Sequence, residues 1–244
     1  MGVSRANDSH DSDFFIQYII LKGKMQRLEK IKMKISKEDE LLRLSKMKEY
    51  ENQAREKGFK LIAGVDEAGR GPLAGPVCAA ACILPEDVYI EGINDSKKLS
   101  EKKREELFEK IKSVALAYNI EMVDEKVIDE VNILNATYIA MNRAVDGLDK
   151  KPDYVLIDGN RISGMEIPHE TVVKGDTKSI SIAAASILAK VTRDRFITQM
   201  DEKYPEYNFK KHKGYGTKEH TEAILKYGPC PIHRKTFLKK MIGG

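Results

Sequence analysis

At 244 residues the chain is long enough for one substantial domain plus an appendage, and 41% hydrophobic with 33% charged residues excludes a disordered or bilayer-embedded chain. Three cysteines, Cys78, Cys82 and Cys230, argue against a disulfide framework and for a reducing compartment, so a cytoplasmic protein is expected. The net charge of +4 is unevenly placed: residues 1–60 hold 14 Lys+Arg against 10 Asp+Glu, and the rest of the chain holds 28 of each.

Residues 1–12 are polar and read as disordered. The apolar stretch Phe14–Leu21 is too short to span a bilayer. Only Arg5 and three aspartates precede it, which is a poor match to a signal peptide, so no membrane association is expected. A helix is expected over Phe14–Ile35. From Lys22 to Lys37, seven basic residues face only Glu29. Such a run attracts phosphate backbones through counterion release, or it forms a solvated helix face. A second helix runs from Ser36, with Asp39 at the capping-box spacing, to Gly58. Its apolar stripe of Leu41, Leu42, Met47 and Tyr50 is too thin for a core of its own. Residues 1–58 therefore read as a helical extension, and residues 59–244 as the main domain.

The main domain predicts strands at Lys60–Glu67, Pro76–Leu84, Ala117–Val123, Tyr154–Asp158 and Glu170–Gly175. Helices are predicted at Glu101–Ala115, Glu125–Val131, Ala136–Gly147, Ile182–Lys203 and Lys218–Tyr227, with Ser100, Asp124, Asn135 and Thr217 as caps. Three strands, helices, two more strands and a long helix make an α/β layer around a mixed sheet. Ser181, Ala183, Ala184, Ala185, Ser186 and Ala189 let the long helix approach the sheet closely. His169, His212, His220 and His233 share no metal-ligand spacing.

Acids recur where strands end. Asp66 and Glu67 close the apolar run Leu61–Val65 and precede Gly69-Arg70-Gly71. Asp158 closes Tyr154–Ile157 ahead of Gly159, and Asp176 follows Val172–Gly175. Each pattern alone also suits a solvated turn. Three strands ending in acid, two of them with glycine beside the acid, favour a site. Carboxylates without a histidine suit Mg²⁺ or Mn²⁺ rather than Zn²⁺. Neighbouring strand residues point to opposite faces, so Asp66 and Glu67 meet one metal centre only if the strand ends or bulges between them.

The motifs Asp-Glu-Ala-Gly-Arg-Gly at Asp66–Gly71, Ile-Asp-Gly at Ile157–Gly159 and Lys-Gly-Asp at Lys174–Asp176 resemble the signatures of the type 2 ribonucleases H, the ribonuclease HII family. The resemblance runs from about Tyr50 to Phe237. It implies a ribonuclease H-like fold: a five-stranded mixed sheet flanked by helices, here with a helical N-terminal extension. It implies a metal-binding and catalytic quartet of Asp66, Glu67, Asp158 and Asp176, with Asp194 competing for the fourth place, and two Mn²⁺ or Mg²⁺ ions beside bound substrate. Gly69, Arg70 and Gly71 resemble the family's reader of a ribose 2′-hydroxyl, and Tyr215 the tyrosine that packs on the neighbouring sugar. Lys97, in Asp95–Leu99, and Lys174 would meet phosphates. The related ribonuclease HIII carries Gly-Lys-Gly where this chain has Gly69-Arg70-Gly71.

The implied activity is hydrolysis of the phosphodiester 5′ to a ribonucleotide, in RNA–DNA hybrids or in duplex DNA containing ribonucleotides. It would leave 3′-hydroxyl and 5′-phosphate ends, remove misincorporated ribonucleotides, and be carried out by a monomer. The rival reading is a non-catalytic nucleic-acid-binding module built on the Lys22–Lys37 run. A binder gains nothing from acids that repel phosphate.

Overall fold

The computed structural model describes Lys22, Met25, Arg27 and residues 36–242. The expected disorder of residues 1–12, and the expected helix over Phe14–Ile35 apart from three helical positions, lie outside the described residues. The chain divides into two compact units, residues 1–45 and 46–244. In the first, residues 36–45 are helical, so Ser36 is already inside the helix rather than capping it.

The second unit begins with α1 (Glu49–Glu56), a helix counted with the extension in the sequence reading. Ala54 of α1 is buried with Ile62, Tyr154, Leu156, Val172 and Ile182, and Phe59 stacks on Tyr154 at 4.5 Å. Residues 46–58 thus pack with the main domain.

Five strands follow: β1 (Ile62–Ala68), β2 (Val77–Ile83), β3 (Ala117–Val123), β4 (Tyr154–Asp158) and β5 (His169–Val172). They form one sheet in the order β3-β2-β1-β4-β5. The β1–β2 and β2–β3 pairs are antiparallel, and β1–β4 and β4–β5 are parallel. The carboxyl ends of β1, β4 and β5 consequently open on the same edge, where ligands of such sheets gather.

Helices cover both faces: α2 (Glu101–Val114), α3 (Glu125–Asp146) and α4 (Ile180–Lys203). Ser100 and Asp124 cap α2 and α3 as expected. The two helices predicted at Glu125–Val131 and Ala136–Gly147 form one run interrupted at Asn132, which adopts φ 68°, ψ 165°. There Asn132, not Asn135, supplies the cap: its Oδ1 accepts the N–H groups of Leu134 and Asn135.

The strand period of two assigns the faces. Ala63, Val65, Val155 and Ile157 pack against Ala136, Ala140, Met141 and Ala144 of α3. Ile62 and Leu156 turn the other way, toward Ile182 of α4. Gly64 lies on that second face, where a Cβ would fall 2.0 Å from the Ser181 backbone carbon. Only glycine lets α4 lie so close to β1, and the small residues of α4 complete the approach.

Beyond α4 a smaller cluster gathers Ala74, Ile197, Tyr207, Phe209, Ile224, Ile232 and Leu238. Three helices contribute here: α5 (Phe209–His212), α6 (Lys218–Tyr227), capped by Thr217, and α7 (Lys235–Ile242). The last was not predicted. Its N-terminus is capped from a distance by Asp129 of α3, which accepts from the Lys235 and Thr236 N–H groups. No helix among the described residues is long and apolar enough to cross a membrane.

Candidate active site

Asp66 lies on the α4 face of β1, two residues beyond Gly64, and is 3% exposed. The strand neither ends nor bulges between Asp66 and Glu67. Their pairing with Ala80 and Ala79 stays in register, and only the ladder to β4 stops, at Val65. The Asp66 carboxylate instead folds along the strand to accept the Glu67 N–H at 2.7 Å. Burial drives its pKa well above the usual range, helped by the charges of Glu67 and Asp158; the Ser186 hydroxyl and the Glu67 N–H oppose the shift. Ser186 of α4 in turn shares a hydrogen bond with Ser96 at 2.9 Å.

Asp158 occupies the same α4 face at the end of β4. Its Oδ1 accepts the Gly175 N–H at 2.6 Å. Asp176 does not end a strand as predicted. β5 stops at Val172, and Asp176 sits in a single 3₁₀ turn, Gly175–Thr177, entered through Lys174 in the left-handed conformation. Lys174 itself is exposed. Burial pushes Asp176 up to about 6, with Asp95 and Asp158 adding repulsion and Lys97 opposing. Glu67 is raised too, first by burial, against the attraction of Arg70. Lys97 is their counter-charge. Burial lowers its pKa, but Asp66, Asp176, Asp95 and Asp158 outweigh burial and raise it.

In front of Glu67 lies a groove of about 700 Å³, walled by Gly69, Arg70, Gly71, Lys97, Lys190 and Tyr215. Arg70 reaches back to Glu67 at 3.3 Å. Tyr215 is 43% exposed. A Cβ on Gly71 would sit 3.7 Å from its Cε1, so the glycine turn and the tyrosine face each other across a ring's thickness. Lys190 and Arg193 hold positive charge 6.0 and 5.9 Å from the ring centre.

The donor set is all oxygen, and burial together with the charge of neighbouring acids raises the pKa of Asp66, Glu67 and Asp176. A hard divalent cation relieves both, so the residues fit Mg²⁺ or Mn²⁺. Among the described residues no three His, Cys, Asp or Glu side chains stand at metal-holding spacing. The acids are repelling neighbours rather than a closed cage. Asp194, the competitor for the fourth place, is bound instead to Lys190 at 2.7 Å, one turn back along α4.

Several residues escaped the sequence reading. Arg193, one of several charged residues along the long helix, is 0% exposed. Its guanidinium donates to the carbonyls of Pro76, Lys213 and Ala74. Arg234, equally buried, donates to those of Gly75, Arg70 and Gly69. Together they bind the glycine turn to the tyrosine loop. No helical or strand period marks an arginine whose hydrogen bonds all go to backbone carbonyls. Lys190 was hidden in the same way, within a helix read as structural.

A family model described as ribonuclease HII matches residues 63–240. The chain is 58% identical over 218 residues to ribonuclease HII of Acetivibrio thermocellus, covering 89% of this chain and 84% of the relative. It is 51% identical over 241 residues to ribonuclease HII of Bacillus cereus, covering 96% and 93%. Among solved structures, ribonuclease H2 of Pyrococcus horikoshii is similar with a TM-score of 0.64 and 30% identity, over 75% of this chain and 97% of that one. Ribonuclease HII of Archaeoglobus fulgidus, solved in complex with PCNA, gives 0.60 and 26% over 72% and 94%.

Proposed function

Because the chain belongs to the ribonuclease HII family, we propose that it is a metal-dependent endoribonuclease that cuts the phosphodiester 5′ to a ribonucleotide. Its substrates would be RNA–DNA hybrids and duplex DNA containing ribonucleotides, its products 3′-hydroxyl and 5′-phosphate ends, and its role the removal of misincorporated ribonucleotides. The observation that carries this reading is the juxtaposition, on one sheet edge, of mutually repelling acids with a groove between a glycine turn and an exposed tyrosine.

Asp66, Glu67, Asp158 and Asp176 would hold two Mg²⁺ or Mn²⁺ ions. Bound there, the ions supply charge for activating a water and for steadying the leaving oxygen. The chain's own residues do the rest. The Gly69–Gly71 backbone, free of side chains at both ends, approaches the ribose and tells its 2′-hydroxyl from a deoxyribose hydrogen. A site built to hydrogen-bond that hydroxyl rejects DNA strongly, since its own polar groups would be left unpaired. Tyr215 packs on the neighbouring sugar and sets the phosphate over the acids. Lys97 and Lys174 meet flanking phosphates.

The Lys22–Lys37 run would add sequence-independent phosphate contacts. Deleting residues 1–45 should then reduce the log–log salt slope of binding by roughly 0.9 per lost contact; an unchanged slope would leave the run a solvated face. For the reaction itself, cleavage of an RNA–DNA hybrid must stop in chelator and return with Mg²⁺ or Mn²⁺. Undiminished cleavage in chelator would remove the carboxylates from the chemistry.

A further inference from the structure

Three histidines that the spacing in sequence leaves unrelated meet in the small cluster behind the tyrosine loop. His220 is 0% exposed, His233 2% and His212 8%. We infer that His220 and His233 are positioning residues for Tyr215: a one-way hydrogen-bond relay from Cys230 through both imidazoles ends on the Tyr215 carbonyl and fixes the loop that presents its ring. The inference deepens the function proposed above and rests on Tyr215 being the sugar-packing residue.

The direction of the relay follows from counting protons. His220 Nδ1 lies 2.9 Å from the Tyr215 carbonyl oxygen, which can only accept, so Nδ1 carries the hydrogen. In a neutral imidazole Nε2 is then an acceptor. It meets His233 Nε2 at 3.0 Å, which must therefore donate. His233 Nδ1 is left as an acceptor, and the Cys230 N–H points at it from 2.9 Å, with the Cys230 thiol at 3.1 Å. The opposite tautomer of His233 would favour the Cys230 carbonyl, 3.3 Å away. It would also set two imidazole lone pairs against each other at 3.0 Å. Burial pushes both imidazoles down to about 4, so each carries a single proton at neutral pH.

The loop depends on this hold. Lys213 and Gly214 take positive φ, 53° and 81°, and a Cβ on Gly214 would fall 2.8 Å from the Ala74 carbonyl oxygen. The Tyr215 carbonyl accepts twice, from the Thr217 N–H at 2.8 Å and from His220, so both of its lone pairs are engaged. His212 braces the other side. It donates from Nε2 to the Tyr207 carbonyl, accepts the Gly214 N–H at Nδ1, and stacks on His220 at 4.4 Å. The relay touches only backbone at its far end, so it sets where the ring stands without reaching the groove.

The test compares His220→Phe, which deletes the donor, with His220→Asn, whose amide N–H replaces Nδ1–H. A companion, His233→Gln, keeps an N–H at the Nε2 position. Full-length proteins are assayed in single turnover on a duplex holding one ribonucleotide, with duplex affinity and melting measured alongside. A tyrosine displaced by about 1 Å predicts a rate loss of roughly 100-fold for His220→Phe at little cost in affinity, with most of the rate restored in His220→Asn and His233→Gln. A folded His220→Phe protein that cleaves at the wild-type rate overturns the inference, as does His220→Asn cleaving as slowly as His220→Phe. Imidazole ¹⁵N spectra of the wild-type protein decide independently of folding in the variants: protonated Nδ1 on His220 and protonated Nε2 on His233 support the relay, and the reverse tautomers contradict it. A wild-type protein that leaves the duplex uncut would overturn the assigned role of Tyr215, while the spectra would still judge the relay.

Discussion

The Asp158 carboxylate accepts the Gly175 N–H at 2.6 Å, so the acid that ends β4 is bound to the turn that carries Asp176. Neighbouring parallel strands bring the two acids to one edge, and this hydrogen bond sets their spacing. A Cβ on Gly175 would stand 2.5 Å from Ile182 Cδ1 and 3.3 Å from Asp158 Oδ1.

Gly175→Ala should therefore disturb the acids more than the fold. Overpacking of this kind costs about 1–3 kcal/mol, or about 2–4 °C of melting temperature per kcal/mol in a chain of this size. Cleavage should fall at least about tenfold, because the methyl presses on the Asp158 carboxylate oxygen as well as on Ile182 Cδ1. Unchanged kinetics in a variant that melts lower would separate the turn from the chemistry.

The pH dependence of the metal-free protein follows from Asp176. Its folded pKa, pushed up to about 6 by burial, Asp95 and Asp158, exceeds the ordinary 3.8. The folded state thus binds this proton more tightly than the unfolded state. That contribution is complete below 3.8 and is lost as pH rises through about 6. In chelator at pH 7, Asp176→Asn should melt higher than wild type, and the gap should close toward pH 4. A variant that melts lower at pH 7 would make Asp176 a structural residue.

Legibility in the sequence tracked locality. β3 and β4, and helix α6, keep their predicted bounds because alternation, capping residues and glycine stops act within a few positions. The candidate site was legible where an acid follows an apolar strand run directly, as at Asp66 and Asp158. It was not legible where the partners are remote. Glu67 feels the charges of Asp158 and Lys97 without any strand bulge beside it. β5 ends at Val172 because the chain turns at Lys174 in a left-handed conformation that no local signal announces. Arg193, Arg234 and the histidine cluster join segments far apart in the chain, which periodicity does not report.

Glu51 extends the same lesson to α1. It is 2% exposed. Its Oε1 accepts from the Ser179 hydroxyl at 2.6 Å and the Ser181 N–H at 3.0 Å, at the amino end of α4, where a negative charge is favoured. Glu51→Ala leaves those donors unmet, which costs about 1–3 kcal/mol. Melting should drop by several degrees, and a truncation at residue 58 should do at least as much harm. A melting curve unchanged by Glu51→Ala would place α1 outside the folded body.

Under the proposed function, Tyr215 should separate binding from turnover. With the ring packing on a sugar, Tyr215→Ala should cut the single-turnover rate by roughly 100-fold while changing duplex affinity little. Tyr215→Phe keeps the ring against Gly71 and should be milder. Equal rates for Tyr215→Ala and wild type would remove the loop His212–Thr217 from the site.

The most direct measurement is a map of the cut. A duplex with a single ribonucleotide in an end-labelled strand is incubated with the protein and Mg²⁺ or Mn²⁺, and the product ends are sized and typed. One cut on the 5′ side of the ribonucleotide, leaving a 3′-hydroxyl and a 5′-phosphate, with the all-DNA duplex untouched and Asp158→Asn inactive, is the predicted result. Cleavage of the all-DNA duplex, a cut on the 3′ side, or full activity in Asp158→Asn would contradict it.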